Sequence, residues 1–150
     1  MTVYAIDPGP TQSALVIIDS AGAIVRAEKM RNEALLGLLW SQPPGAGVLV
    51  VEQVGVAGMA GHETFETAFW SGRFVETWDG QWDRLLRKTV VSHLCGSARA
   101  GDKDVRQALI LRWGPGSEQR ATKGTKKKPG RAAGPLGHIA GDCWQALGLA

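Results

Sequence analysis

Three acids stand where acids are seldom placed. Asp7 closes the short apolar, β-prone stretch Val3 to Ile6, and Glu52 closes Val48 to Val51, the most apolar strand-like run of the chain. Asp142 falls one turn inside a closing helix, beside Cys143, Ala146 and Leu147, which form that helix's core stripe. Aspartate is depleted in strands, and carboxylates are buried chiefly when paired or bound to metal. If the two strands are neighbours, Asp7 and Glu52 project from adjacent strand ends. A helix packed across that end then brings Asp142 to meet them. Three ionised carboxylates in one pocket repel strongly unless cations neutralise them. Oxygen-only ligation suits the hard ions Mg2+ and Mn2+. Two such ions about 3.5–4 Å apart can activate a water and stabilise the leaving oxygen of an in-line phosphoryl displacement. Singly, each acid has a plainer account. Asp7 before Pro8-Gly9 is a turn residue, Glu52 a strand-end surface acid, and Asp142 a helix-start acid favoured by the dipole. Their conjunction and order favour the metal reading.

The elements that must position these acids can be read from hydrophobic periodicity and turn residues. Val3 to Ile6 is a strand stopped by Asp7-Pro8-Gly9. Ser13 to Asp19 is a second strand and Ala23 to Met30 a third, joined by a tight turn at Ser20-Ala21-Gly22, which makes an antiparallel meander. Asn32 reads as the N-cap of a helix through Trp40, ended at Gln42-Pro43-Pro44-Gly45. Val48 to Val51 is a continuous apolar run, as in a strand buried on both faces. Thr64 to Trp78 is predicted helical, Leu85 to Val91 a strand, Asp102 to Trp113 an amphipathic helix and Gly137 to Ala150 the closing helix. A meander followed by strand–helix alternation gives a mixed α/β sheet of five strands with helices packed on it.

At 150 residues the chain has the length of one domain, and its hydrophobic share of 44% is enough for a core. The formal charge of +3 hides a polarity. Ser117 to Gly134 carries Arg120, Lys123, Lys126, Lys127, Lys128 and Arg131 against Glu118 alone, which leaves the remainder net acidic. Such a segment is either a solubilising, flexible loop at about 115–135 or an electrostatic footprint for a polyanion. Cys95 and Cys143 have no zinc-type spacing and read as small buried apolar residues of a reducing, cytoplasmic setting. No signal peptide or membrane-spanning run is visible. His62-Glu63 begins like a zinc-protease motif, but Glu66 stands where its second histidine must be. Gly58 to Gly61 lacks the Lys-Ser/Thr ending of a phosphate loop.

The segment Tyr4-Ala-Ile-Asp-Pro-Gly9 followed by Ser13-Ala-Leu-Val-Ile-Ile-Asp19 resembles the opening hairpin of the RuvC family of Holliday junction resolvases. Val50-Val-Glu-Gln-Val54 resembles the family's second acidic motif. Gly72 sits where a family helix often carries glycine. Leu94-Cys-Gly-Ser-Ala-Arg-Ala100 with Val105-Arg-Gln-Ala-Leu109 resembles its basic loop leading into a helix. Gly141-Asp-Cys-Trp-Gln-Ala-Leu-Gly-Leu-Ala150 resembles its terminal helix. The likeness thus spans nearly the whole chain in matching order. It implies an RNase H-like sheet with helices on both faces, and a single nuclease domain of small phage type. It also implies Mg2+-dependent nicking of four-way DNA junctions by a homodimer, leaving a 5′-phosphate and a 3′-hydroxyl. The metal ligands it implies are Asp7, Glu52 and Asp142. Lys88, Arg99 and Lys103 would steady flanking phosphates, each being otherwise an ordinary surface cation. Lys123, Lys126, Lys127, Lys128 and Arg131 would hold duplex arms without reading bases.

The chain also departs from that pattern. The family often carries an acid or histidine three residues before the last aspartate, where this chain has Ile139. His138, four residues before Asp142, would share a helix face with it and reach the same metal, or else is a helix-start histidine with no chemical role. An aromatic wedge three residues after the glutamate is replaced by Gly55, leaving Met59, Phe65 or Trp70 to open a junction. Pro10 is unusual at the first turn, and the lysine expected before the later helix is displaced by one residue to Lys103. Trp113 and Trp144 fit core positions, and Trp78 and Trp82 fit a dimer contact. Three other functions stay open. An actin-like kinase needs two such domains, more than this length allows. A junction-binding module without catalysis, and an RNase H-like nuclease for other branched DNA or RNA–DNA hybrid, keep the same fold.

Overall fold

Residues that alternate between two apolar faces make a sheet that must be covered on both sides. The computed structural model describes residues 1–55, 59–114, 116–123 and 132–150. Five strands form one mixed sheet: β1 (Val3–Asp7), β2 (Gln12–Ile18), β3 (Ile24–Arg31), β4 (Val48–Gln53) and β5 (Gln81–Leu86). Their spatial order is β3-β2-β1-β4-β5. β1, β2 and β3 are an antiparallel meander, and β4 and β5 add in parallel. The helices are α1 (Asn32–Trp40), α2 (His62–Thr77), α3 (Arg87–Cys95), α4 (Asp102–Trp113) and α5 (Cys143–Leu149).

One face of the sheet carries Tyr4, Ile6, Leu15, Ile17, Leu49 and Val51, packed under Leu35 and Leu39 of α1 and Trp70 and Phe74 of α2. The other carries Ala14, Val16 and Ile18 against Val91 of α3, Val105 and Leu109 of α4, and Ala146 and Leu147 of α5. Ala5 and Val50 extend that second face to Leu149. The fold is the α/β arrangement expected, with five strands and helices on both faces.

Three elements differ from the sequence reading. Leu85 to Val91 is strand only through Leu86. The strand lies earlier, at Gln81–Leu86, where its backbone pairs with β4. The β-branched run Thr89-Val90-Val91 instead sits in α3, which ends at Gly96 with the left-handed φ of +69°. The closing helix starts at Cys143, not at residue 137. Pro135 to His138 form a separate turn, and Gly141 takes φ +52°, so no helix runs through Ala140. Asp142 is therefore the N-cap of α5 and does not lie inside the helix.

Asn32 is the first residue of α1 and not its cap. It is fully buried and performs a different task. Its Nδ2 donates to the Gly9 carbonyl at 2.9 Å, while its Oδ1 accepts from the Ser13 hydroxyl at 2.7 Å. Ser13 Oγ accepts in turn from the Gly9 N–H at 3.2 Å. This closed set fixes the turn that follows Asp7. Gly9 is required there, because a Cβ would lie 2.4 Å from the Gln12 carbonyl oxygen.

The two ends of the basic segment are tied to each other. The Gly134 N–H donates to Gln119 and the Leu136 N–H to Ser117, both at 2.8 Å. Lys126, Lys127, Lys128 and Arg131 lie outside the described residues.

Replacing Asn32 with alanine strips partners from two buried groups at once. The expected loss is about 2–3 kcal/mol of unfolding free energy, measured by urea titration.

Candidate active site

The pairing of β1 with β4 decides where the acids go. Their register matches Ala5 with Val50 and Ile6 with Val51. Continued by one residue, it sets Asp7 beside Glu52. In a parallel pair, such neighbours point to the same face of the sheet. That face is the one α5 covers, since Ala5 and Val50, two residues back, pack on Leu149. Asp142 enters from the N-terminal end of α5 on the same side.

The electrostatics follow from this crowding. The Asp7 carboxyl is pushed up to about 7, first by burial and then by the negative charges of Glu52 and Asp142, with Arg87 and Lys29 opposing. Glu52, whose side chain is only 17% exposed, is also raised by burial, against the pull of Arg87. Asp142 is half exposed, and Lys29 Nζ donates to its Oδ2 at 2.6 Å. That bond and the Asp142 charge hold the Lys29 ammonium above its usual range. Arg87 lies at the start of α3, 3.8 Å from Glu52, and its guanidinium also pairs with Asp102.

Asp7, Pro8, Glu52 and Gln53 line a hollow of about 190 Å3. Asp142 lines a different groove, of about 440 Å3, with Lys103, Arg106, Arg120 and Trp144. The Arg106 guanidinium lies over the Trp144 ring, 4.8 Å from its centroid. Among the described residues, no three His, Cys, Asp or Glu side chains converge closely enough to enclose an ion together. The pair Asp7 and Glu52 nevertheless fits a divalent cation. Both are oxygen donors, both are partly buried, and their mutual repulsion is what a cation would relieve.

The structure thus brings Asp7 and Glu52 together and sets Asp142 near enough for its charge to act on Asp7. It does not bring His138 to them. That residue is exposed in the turn before α5, so the shared helix face expected for His138 and Asp142 does not form. Lys103 reaches the groove beside Asp142, while Lys88 on α3, Arg99 and Lys123 are exposed. Trp70 is buried under α1 and β4 and cannot serve as a wedge, whereas Met59 and Phe65 stay exposed at 98% and 65%. Trp78 is a core residue and not a dimer contact. Two cations escaped the sequence reading, Lys29 and Arg87, while Arg120 was read only as part of the basic segment and Arg106 only as part of a helix motif. Only the sheet register and the helical start at Arg87 could have pointed to the first two.

No protein-family model matches the chain, and no curated protein matches it in sequence. Solved structures do. The chain aligns over 100% of its length with 91% of Thermus thermophilus RuvC, at a TM-score of 0.67 and 16% identity. It aligns equally fully with 90% of T. thermophilus RuvC in complex with Holliday junction substrate, at a TM-score of 0.63 and 16% identity. The fold is that of RuvC. On this RuvC-like frame, the acids at the ends of β1 and β4 and at the start of α5 occupy the focus of both the sheet and the helix that crosses it. No helix among the described residues is long and apolar enough to cross a membrane.

The raised Asp7 has a sign that can be measured. Folded protein holds a proton on Asp7 up to about pH 7, whereas the unfolded chain releases it near 3.8. Metal-free protein should therefore lose stability as pH rises from about 4 to about 7, and change little above that. Asp7→Asn should remove this decline and be more stable than the parent at pH 8 by about 2–4 kcal/mol, read from denaturant unfolding at each pH.

Proposed function

We propose that this chain is a divalent-metal-dependent endonuclease that nicks four-way or otherwise branched DNA. The observation that carries the reading is the side-by-side placement of Asp7 and Glu52, with Asp142 across from them, on a RuvC-like fold. Support for the substrate class comes from the T. thermophilus protein, whose structure holds a Holliday junction substrate. Mg2+, or Mn2+ in its place, would supply the Lewis acid that activates water and offsets charge on the phosphate.

The chain's own residues supply the rest. Asp7 and Glu52 hold oxygen donors side by side at a largely buried strand end. Lys103, Arg106 and Arg120 line a groove that opens directly beside Asp142 and would hold the backbone of the strand being cut. Arg106 already stacks over Trp144, and that contact would limit the freedom it loses on taking a phosphate. Lys88, Arg99 and Lys123, followed along the chain by Lys126, Lys127, Lys128 and Arg131, would meet flanking phosphates. Phe65 and Met59, exposed on and before α2, are the apolar side chains free to wedge between bases. A symmetric four-way junction needs two cuts, which one site per chain supplies in a homodimer.

Asp7→Asn should bind a four-way junction as the parent does and lose Mg2+-dependent nicking by at least a thousandfold. The assay runs junction, flap, duplex and RNA–DNA hybrid side by side. Nicking by this variant at the parental rate would refute the reading. Binding of the parent without cleavage of any substrate would leave a junction-binding module instead.

Arg106→Ala and Lys103→Ala should each weaken junction binding across all sequences. Each should also flatten the dependence of log affinity on log salt by about one unit. An unchanged salt slope in both would remove the groove from the DNA path.

A further inference from the structure

Lys29 lies in the same cross-strand row as the acids. β3 pairs Lys29 with Ala14, β2 pairs Ala14 with Asp7, and Glu52 follows on β4. All four belong to the face that α5 covers. Between Lys29 and Asp7 the row holds only the methyl group of Ala14, which is fully buried. With strands spaced by about 4.8 Å, a lysine stem can cross that gap and no shorter cation could. Its Nζ ends 2.6 Å from Asp142 Oδ2.

We propose that Lys29 takes the place of a second metal ion: its ammonium holds Asp142, and the centre binds a single divalent cation between Asp7 and Glu52. This rests on the nuclease reading of the same site and departs from the two-ion chemistry that the carboxylates alone suggest.

Three observations converge on it. The first is charge. Asp7, Glu52, Asp142 and the Asp102 that shares Arg87 face Lys29 and Arg87, which leaves two net negative charges. One divalent ion balances that charge. A second would pile excess positive charge beside a lysine and an arginine. The second is placement. Asp7 and Glu52 share one hollow, Asp142 lines another, and no three acids among the described residues enclose an ion. The third is the weakness of the other donors near Asp142, where Gln145 offers only a neutral amide oxygen. Ile139 is apolar and buried, Ala140 and Gly141 carry no donor side chains, and His138 is exposed in the preceding turn. A second ion at Asp142 would have one carboxylate of its own, at best a share of Asp7, and a cation in its way. An ammonium has three donors, and one spent on Asp142 leaves two for a phosphate oxygen in the groove.

Counting ions tests this without any turnover. Mn2+ is titrated into the full-length chain, and bound metal is counted by the electron paramagnetic resonance of free Mn2+ and by native mass spectrometry. The wild type should bind one Mn2+ per chain. Asp142→Asn should still bind one, with affinity changed by less than tenfold, and Asp7→Asn should bind none. Lys29→Met and Lys29→Gln should bind two, each first checked for a parental melting transition. Lys29 is half exposed on an edge strand, so at least one of the pair should fold. Two ions in the wild type, or loss of binding in Asp142→Asn, overturns the inference while the nuclease reading stands. One ion in folded Lys29 variants overturns the substitution by Lys29. No ion in the wild type at millimolar Mn2+ overturns both.

Discussion

The parallel pairing of β1 with β4 is the constraint on which the site depends. It places two carboxylates on neighbouring strand ends, on a face whose preceding residues are buried, and it offers them no choice of direction. Side chains on a strand alternate strictly, so moving Asp7 or Glu52 away would also turn Ala5 and Val50 out of the core. The repulsion is thus bound to the same register that builds the hydrophobic sheet. Sheet stability holds the acids together, and cations must answer the charge.

The chain's own answer is partial and asymmetric. Arg87 reaches Glu52 from the start of α3, and Lys29 reaches Asp142 from the edge strand β3. Asp7, between them, has no direct ion pair among the described residues and carries the largest perturbation. The surroundings of Asp7 are correspondingly stiff. Asn32, Ser13 and Gly9 lock the turn that leaves it, and Ala14 beside it has no side chain that could swing into the gap. If Asp7 is to accept a cation without collapsing onto a neighbouring lysine, it would need such walls.

Much of this was legible in the sequence, because the relevant signals are local. The strand ends at Asp7 and Glu52 follow from apolar runs broken by turn residues, and Asp142 is marked by the core stripe that follows it. What could not be read depends on contacts between distant segments. Thr89-Val90-Val91 has strand propensity, yet β4 already pairs with Gln81–Leu86, and Val91 is better buried from a helix under the sheet. Arg87 was hidden by that displaced boundary. Lys29 reads as an ordinary exposed strand lysine until the register places it in one row with Ala14, Asp7 and Glu52. His138 is the converse case. Its spacing from Asp142 suits a helix, but Gly141 and the Pro135–His138 turn take that helix away.

The cations also divide into two sets with different physical tasks. Lys29 and Arg87 are committed to acids, so their positive charge is spent inside the site. Lys103, Arg106 and Arg120 face an open groove and act on whatever enters it. Phosphate contacts of the second kind set affinity and orientation but carry no base sequence. A nuclease arranged this way would recognise the path of a backbone. A branched substrate would then be chosen because its strands bend through the groove and the carboxylate hollow together, which a straight duplex does only if it is deformed at an energetic cost. Selectivity for branched DNA would on this view arise from the relative placement of groove and hollow, which the packing of α5 on β1, β2 and β4 sets.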